Sequence, residues 1–132
     1  MPAAAVSDLK PELAGILFSV HPQSIILAAT DSFRLAEKTI QRNDGLVDRL
    51  ECIVPLRTAQ ELLRILSQDA SGDVHISIGE HQIVFERGNT RILSRLIDGA
   101  YPPYQNIIPS EYETTLLINR DDLLKKIRLA AV

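Results

Sequence analysis

Tryptophan is absent from this chain of 132 residues, cysteine occurs once, and aromatic residues make up 5% of it. The single thiol, Cys52, forms no disulfide within the chain and supports no multi-cysteine zinc site, and it fits a reducing compartment. With so few rings the core has to be built from Leu, Ile, Val and Ala, and little is left for platforms that stack nucleic-acid bases. Long apolar runs are missing as well. The longest, Ile25 to Ala29, is closed by Thr30 and Asp31, far short of the roughly 18 to 20 residues a membrane span requires. The opening MPAAAVSDLKPEL has neither a basic leader nor a continuous apolar stretch, so the expected address is cytoplasmic, with no membrane partner. No glycine-rich phosphate loop exists, because Gly45, Gly72, Gly79, Gly88 and Gly99 stand singly at expected turns. An excess of positive charge is lacking too: 14 Lys plus Arg against 17 Asp plus Glu give a net charge of −3. Bulk electrostatics therefore does not draw the chain to DNA, and any nucleic-acid contact has to come from a local basic stripe.

What is present reads as one globular domain, since 45% of the residues are hydrophobic and 23% charged. Residues 1–10 are small and polar without a period and are expected to form a loose lead-in. Strands are expected over Leu13 to Val20, Ser24 to Thr30 and Phe33 to Ile40, with His21-Pro22-Gln23 and Asp31-Ser32 as the turns between them. Gln41 to Glu51 is polar and reads as a loop. After a brief strand at Cys52 to Val54, the spacing of Leu56, Ala59, Leu62, Leu63 and Leu66 predicts an amphipathic helix, with Pro55 at its first position. A hairpin is expected over Asp73 to Glu86 about a Gly79-Glu80 turn, pairing Ile76 with Ile83 and Val74 with Phe85. Gly88-Asn89 returns the chain into Thr90 to Ile97. Ala100 to Pro109, with three prolines, is predicted to be an extended connector. A strand at Thr114 to Ile118 is expected to lead into a helix capped by Asn119, with Asp121 and Asp122 in its first turn and Leu123, Leu124, Ile127 and Ala131 on its apolar face. Strand, cap and helix at Cys52 to Ser67 thus have an echo at Leu116 to Val132.

Catalytic signatures are absent from this pattern. His21, His75 and His81 stand at no metal-ligand spacing, so no metal and no cofactor are implied, and Ser32, Ser94 and Ser110 lack a nucleophile-elbow setting. Asp31 and Asp98 sit at strand ends, where turn formation accounts for them. A small-molecule enzyme would need Asp31, Arg34 and His81 to converge. Arg57 and Arg64, seven apart on one helix face, can both point at a phosphate backbone. From the residues alone this is an α+β domain without visible catalytic apparatus.

Two stretches say more. Ala29 to Ala36, ATDSFRLA, and Ser94 to Pro109, SRLIDGAYPPYQNIIP, closely resemble segments of the β sliding clamp of the bacterial replicative polymerase, DNA polymerase III. Ile53-Val54-Pro55 opening a Leu-rich helix, the strand Leu13 to Phe18 with Gly15, and Asn119 to Ala131 match in the same order. The resemblance covers the chain from about Pro11 onward and implies a partial DNA-clamp fold, an antiparallel sheet with helices on one face. It further implies that 11–112 is the middle clamp domain without its opening strand and helix, and that 113–132 is the first strand and helix of the next domain. The implied function is non-catalytic. In the family, full-length chains form a homodimeric ring that encircles double-stranded DNA without reading sequence and tethers the replicative polymerase catalytic subunit, the clamp loader and other proteins carrying clamp-binding peptides. Carried over by position, the peptide pocket would comprise Leu13, Thr30, Ser32, Phe33, Arg34, Leu35, Pro102, Asn106 and Ile107, and the DNA-facing residues Arg57, Arg64, Lys125 and Lys126. Phe33 stands where the family commonly has His, and Asn106 where some members carry Arg. A free-standing peptide-binding adaptor that never encircles DNA is the alternative reading.

Overall fold

A computed structural model describes residues 3–4, 10–42, 49–68 and 72–131. The chain divides into two compact units, Met1–Pro102 and Pro103–Val132. In the first, a 3-10 turn at Pro11–Ala14 leads into β1 (Gly15–Val20), β2 (Ser24–Thr30), β3 (Leu35–Gln41) and β4 (Leu50–Pro55). Helix α1 (Leu56–Leu66) and strands β5 (His75–Ile78), β6 (Gln82–Arg87) and β7 (Thr90–Arg95) follow. The second unit holds a 3-10 turn, Tyr104–Ile107, and helix α2 (Arg120–Ala130). Among the described residues no helix is long and apolar enough to cross a membrane.

All strand pairing is antiparallel, in sheets of order β3-β2-β1-β4 and β5-β6-β7. Strand β1 is central and is covered on both faces, which is why its sequence is a nearly continuous apolar run instead of a clean alternation. Ile16 and Phe18 face the main core with their cross-strand partners Val54 and Cys52, joined there by Leu62 from α1 and by Ile83 and Phe85 from β6. Phe18 and Phe85 meet edge to face, with centroids 6.2 Å apart. The opposite face buries Leu17, Ala28 and Ile53. The two sheets join where Ile97 bridges Ile53, its N–H donating to the Ile53 carbonyl at 2.9 Å. Thr58 of α1 and Ser94 of β7 share a hydroxyl hydrogen bond of 2.7 Å, tying the helix to the second sheet.

Several expectations are corrected. Pro55 is the last residue of β4 and the N-cap of α1, with ψ at 140°, so the helix starts at Leu56; a proline paired with Gly15 at a strand end can cap a helix without belonging to it. Leu63 lies exposed, while Leu62 carries the buried contact of α1. In the β5–β6 hairpin Ile78 pairs with Ile83 and Ile76 with Phe85, and Gly79 N–H donates to Gln82 O, so the turn is Glu80-His81, one residue later than expected. Every partner thereby moves by two, which leaves each side chain on its predicted face. Of the lead-in expected over 1–10, Ala3 and Ala4 are buried in the main core, and 1–2 and 5–9 lie outside the described residues. A 3-10 turn interrupts the proline-rich connector at Tyr104–Ile107. Residues 114–118 carry no strand, because a β-prone run becomes one only against a hydrogen-bonding neighbour, and Leu117 is fully exposed there. Asn119 caps α2 as expected, its side chain accepting from Asp121 N at 2.9 Å and Asp122 N at 3.2 Å. Within the loop expected over Gln41 to Glu51, β3 runs through Gln41 and β4 begins at Leu50; 43–48 lie outside the described residues.

Candidate functional site

The β2–β3 turn is held by a dense local set of hydrogen bonds. Asp31 Oδ1 accepts from Phe33 N at 3.1 Å and Arg34 N at 3.0 Å, and Oδ2 accepts from Arg34 Nε at 2.9 Å. Thr30 Oγ1 donates to Arg34 O at 2.8 Å and accepts from Ser32 N at 3.2 Å. Together these bonds hold Ser32 at φ 76°, a left-handed conformation that costs a non-glycine residue about 1 kcal/mol. The result is a fixed tip on which Phe33, a large apolar side chain, stands 98% exposed.

The N–H of Phe33, followed by that of Arg34 and its guanidinium, holds the Asp31 carboxyl below its ordinary value of 3.8 against the opposing pull of desolvation. A depressed carboxylate contributes order that is fully present above the ordinary value and is lost as pH falls through the folded one. Acid titration is therefore expected to release the Phe33 and Arg34 amides together below pH 4, with Asp31→Asn showing the loosened turn at neutral pH. Unchanged amide shifts for Phe33 and Arg34 in Asp31→Asn would contradict this assignment.

Most of the predicted pocket residues of the first unit gather at this end of the sheet. Extending the β1–β2 register, in which Leu17 pairs with Ala28, brings Gly15 level with Thr30, and the 3-10 turn carrying Leu13 directly precedes it. Leu35 pairs with Thr30 across the turn. Pro102 arrives through its neighbour: Thr30 N–H donates to the Tyr101 hydroxyl at 3.0 Å. Burial differs sharply along the set. Leu13 and Thr30 are each 4% exposed, Leu35 and Pro102 half-buried, and Ser32, Phe33 and Arg34 open to solvent. Asn106 and Ile107 belong to the second unit, exposed on its 3-10 turn. The sequence reading missed Tyr101, since no local pattern signals a bond between residues 71 apart.

The basic candidates fall on both helices. Arg57 and Arg64 are exposed on α1, and Arg64 is engaged by Glu61 through Nε at 3.1 Å and Nη2 at 2.5 Å. That bond lowers the Glu61 pKa and raises that of Arg64, so the α1 stripe is a mixed one in which Glu61 offsets part of the positive field. Lys125 and Lys126 are exposed on α2. The trio required by a small-molecule enzyme is dispersed. Asp31 and Arg34 bond to each other in the β2–β3 turn, whereas His81 lies in the β5–β6 turn within 3.7 Å of Glu80 and 3.9 Å of Asp98, beside the opposite end of β4 at Leu50 and Glu51. An apolar cavity of about 230 Å³ lies elsewhere, between α1 and the face of β1 and β2, lined by Ile16, Phe18, Leu27, Leu56, Ala59 and Leu63 among others.

The chain is similar to proteins of one family along nearly its whole length. Residues 2–103 match a family model described as the DNA polymerase III beta subunit, central domain. A beta sliding clamp of Staphylococcus epidermidis is 33% identical over 130 residues, 98% of this chain and 34% of the relative. The crystal structure of the DNA polymerase sliding clamp from Bacillus subtilis superposes with a TM-score of 0.89 at 30% identity, over 98% of this chain and 34% of that one. The Helicobacter pylori beta clamp bound to a DNA ligase peptide superposes with a TM-score of 0.82 at 26% identity, over 98% of this chain and 36% of that one. The chain thus spans about a third of the length of the relatives it matches.

Proposed function

Because the chain belongs to the DNA polymerase III beta subunit family, matching its central domain, we propose that it is a section of a sliding clamp. In this reading 11–112 is the middle clamp domain and 113–132 opens the next one. The chain's work is docking and tethering instead of catalysis. The end of the first sheet, with Leu13, Thr30, Ser32, Phe33, Arg34, Leu35 and Pro102, takes short linear peptides of the polymerase, the clamp loader and repair proteins; the resemblance carries over Asn106 and Ile107 as well. The observation that carries the reading is the Asp31-tied turn, which holds an almost fully exposed Phe33 beside half-buried apolar residues. Docking onto such a preset surface spares the loop-ordering cost that weakens peptide binding to mobile loops.

For DNA, the reading assigns sequence-independent contact to Arg57 and Arg64 on α1 and to Lys125 and Lys126 on α2. A homodimeric ring holds duplex by topology, so its phosphate contacts have to be weak enough to slide, and a chain of net charge −3 can supply them.

The test is a titration of a fluorescent hexapeptide, with Gln first and Leu-Phe near its end, against the wild-type chain and a Phe33→Asp variant. Phe33 is chosen because its exposure lets the variant fold, whereas a charge at Leu13, 4% exposed, is expected to unfold the domain. Saturable binding that weakens about tenfold or more in the variant is expected. Equal affinity for both proteins, or none for the folded wild type, would remove the docking site from this surface.

A further inference from the structure

Resting on that docking reading, we propose that Tyr101 is a positioning residue for the peptide site: its hydroxyl bolts the connector that carries Pro102 onto the end of the β2–β3 hairpin, fixing two walls of the site before a peptide arrives. The walls come from distant parts of the chain. One is the Thr30–Arg34 turn, rigid within itself through Asp31 and Thr30. The other is the end of the 96–102 segment, which leaves the second sheet, bridges Ile53 through Ile97 and turns at Gly99, whose φ is 131°. Local hydrogen bonds order the turn internally but say nothing of its distance from Pro102.

The Tyr101–Thr30 bond sets that distance. The β1–β2 ladder ends at the Leu17–Ala28 pair, so the Thr30 N–H lies beyond it, and Thr30 is 4% exposed. A buried amide needs an acceptor, and the phenol oxygen supplies it at 3.0 Å. The far end of the same segment is anchored independently. Ile97 N–H donates to Ile53 O at 2.9 Å, and Gly15 lets the Ile97 side chain lie against the sheet, since a Cβ at Gly15 would come within 3.0 Å of Ile97 Cδ1. With Ile97 held on β4 and Tyr101 on β2, the segment crosses the sheet between two fixed points, and Pro102 follows the second directly. Prepaid ordering of this kind appears as affinity, because the peptide no longer has to bring the walls together.

The decisive variant is Tyr101→Phe, which keeps the ring and removes the acceptor, compared with the wild type and Phe33→Asp. The hexapeptide affinity of each is measured by fluorescence at a temperature where circular dichroism shows all three folded, and amide exchange is followed in the free proteins. The expected result is an exchange rate about tenfold higher for Thr30 and the turn amides, unchanged exchange for Ile83 and Phe85 in β6, and about five- to tenfold weaker peptide binding with both proteins folded. Wild-type exchange at Thr30, or wild-type affinity in Tyr101→Phe, overturns the proposal. So does faster exchange throughout β6 with a lowered melting temperature, which marks a merely structural role. Absence of peptide binding by the folded wild type defeats the docking reading, and with it the peptide-positioning role of Tyr101, while the exchange arm still decides whether the bolt exists.

Discussion

Replacing Ile83 with alanine is expected to lower stability by about 2–5 kcal/mol and the melting temperature by roughly 10–30 °C. Ile83 has no exposed surface and stands where β6 meets the four-stranded sheet, in one cluster with Ile16, Phe18, Val54, Leu62 and Phe85. Its own strand neighbours, Ile78 on β5 and Ser94 on β7, are fixed by the ladder and cannot close over the space left behind. The cost is therefore the lost transfer of the deleted carbons plus a retained cavity. Leu93→Ala on the outward face of β7 is the internal control. Leu93 is 61% exposed, and its truncation is expected to stay within about 0.5 kcal/mol. Urea unfolding of both variants separates the two cases, and equal, small effects would mean that Ile83 does not hold the sheets together.

Gly15→Ala is expected to cost about 1–3 kcal/mol although alanine adds a single methyl group. Gly15 has φ −130° and ψ −178°, extended backbone open to any residue, so the cost is not conformational. It is space: a Cβ there would sit 2.5 Å from Ile53 Cγ2 and 2.9 Å from the Val54 carbonyl oxygen, with Ile97 Cδ1 at 3.0 Å. Ile53 is 2% exposed and Val54 O is backbone, so neither can retreat cheaply. The Gly15 backbone itself has to shift away from Ile53 and Val54, which disturbs the neighbouring Ile97 anchor of the 96–102 segment, and peptide affinity is expected to decline together with stability. Thermal unfolding and the hexapeptide titration check both halves; an alanine variant as stable as wild type would show that the close approach is relieved at no cost.

How far the sequence is legible depends on whether the deciding interaction is local. Ser24–Thr30 appears in the structure with its predicted ends, because an apolar run between His21-Pro22-Gln23 and Asp31-Ser32 is bounded by residues that terminate strands. The Asn119 cap is likewise a matter of three consecutive residues. The β5–β6 turn lies one residue later than the pattern predicts for a reason intrinsic to strands: moving every partner by two leaves Ile76, Ile78, Ile83 and Phe85 on one face, so the hydrophobic pattern does not discriminate. At 114–118 the sequence carries β propensity, but a strand also needs an edge to pair with, which composition does not encode. Burial of Ala3 and Ala4 has no sequence signal, since small residues without a period resemble a linker. Within the candidate site, the Asp31 turn is visible in its residues, whereas the role of Tyr101 depends on a partner 71 positions away. The wider residue set is legible only through resemblance, and its first-unit members lie together because the hairpin end, the Pro11–Ala14 turn and the connector meet there.

The most direct measurement is to map the bound peptide on the chain by following every assigned backbone amide during the hexapeptide titration. A clamp section that docks peptides at the hairpin end predicts saturable shifts concentrated at Leu13, Thr30 to Leu35 and Tyr101, with the amides of β5 and β6 unmoved. Shifts confined to Leu27, Leu56, Ala59 and Leu63, around the apolar cavity, with Thr30 to Leu35 silent, would contradict the account.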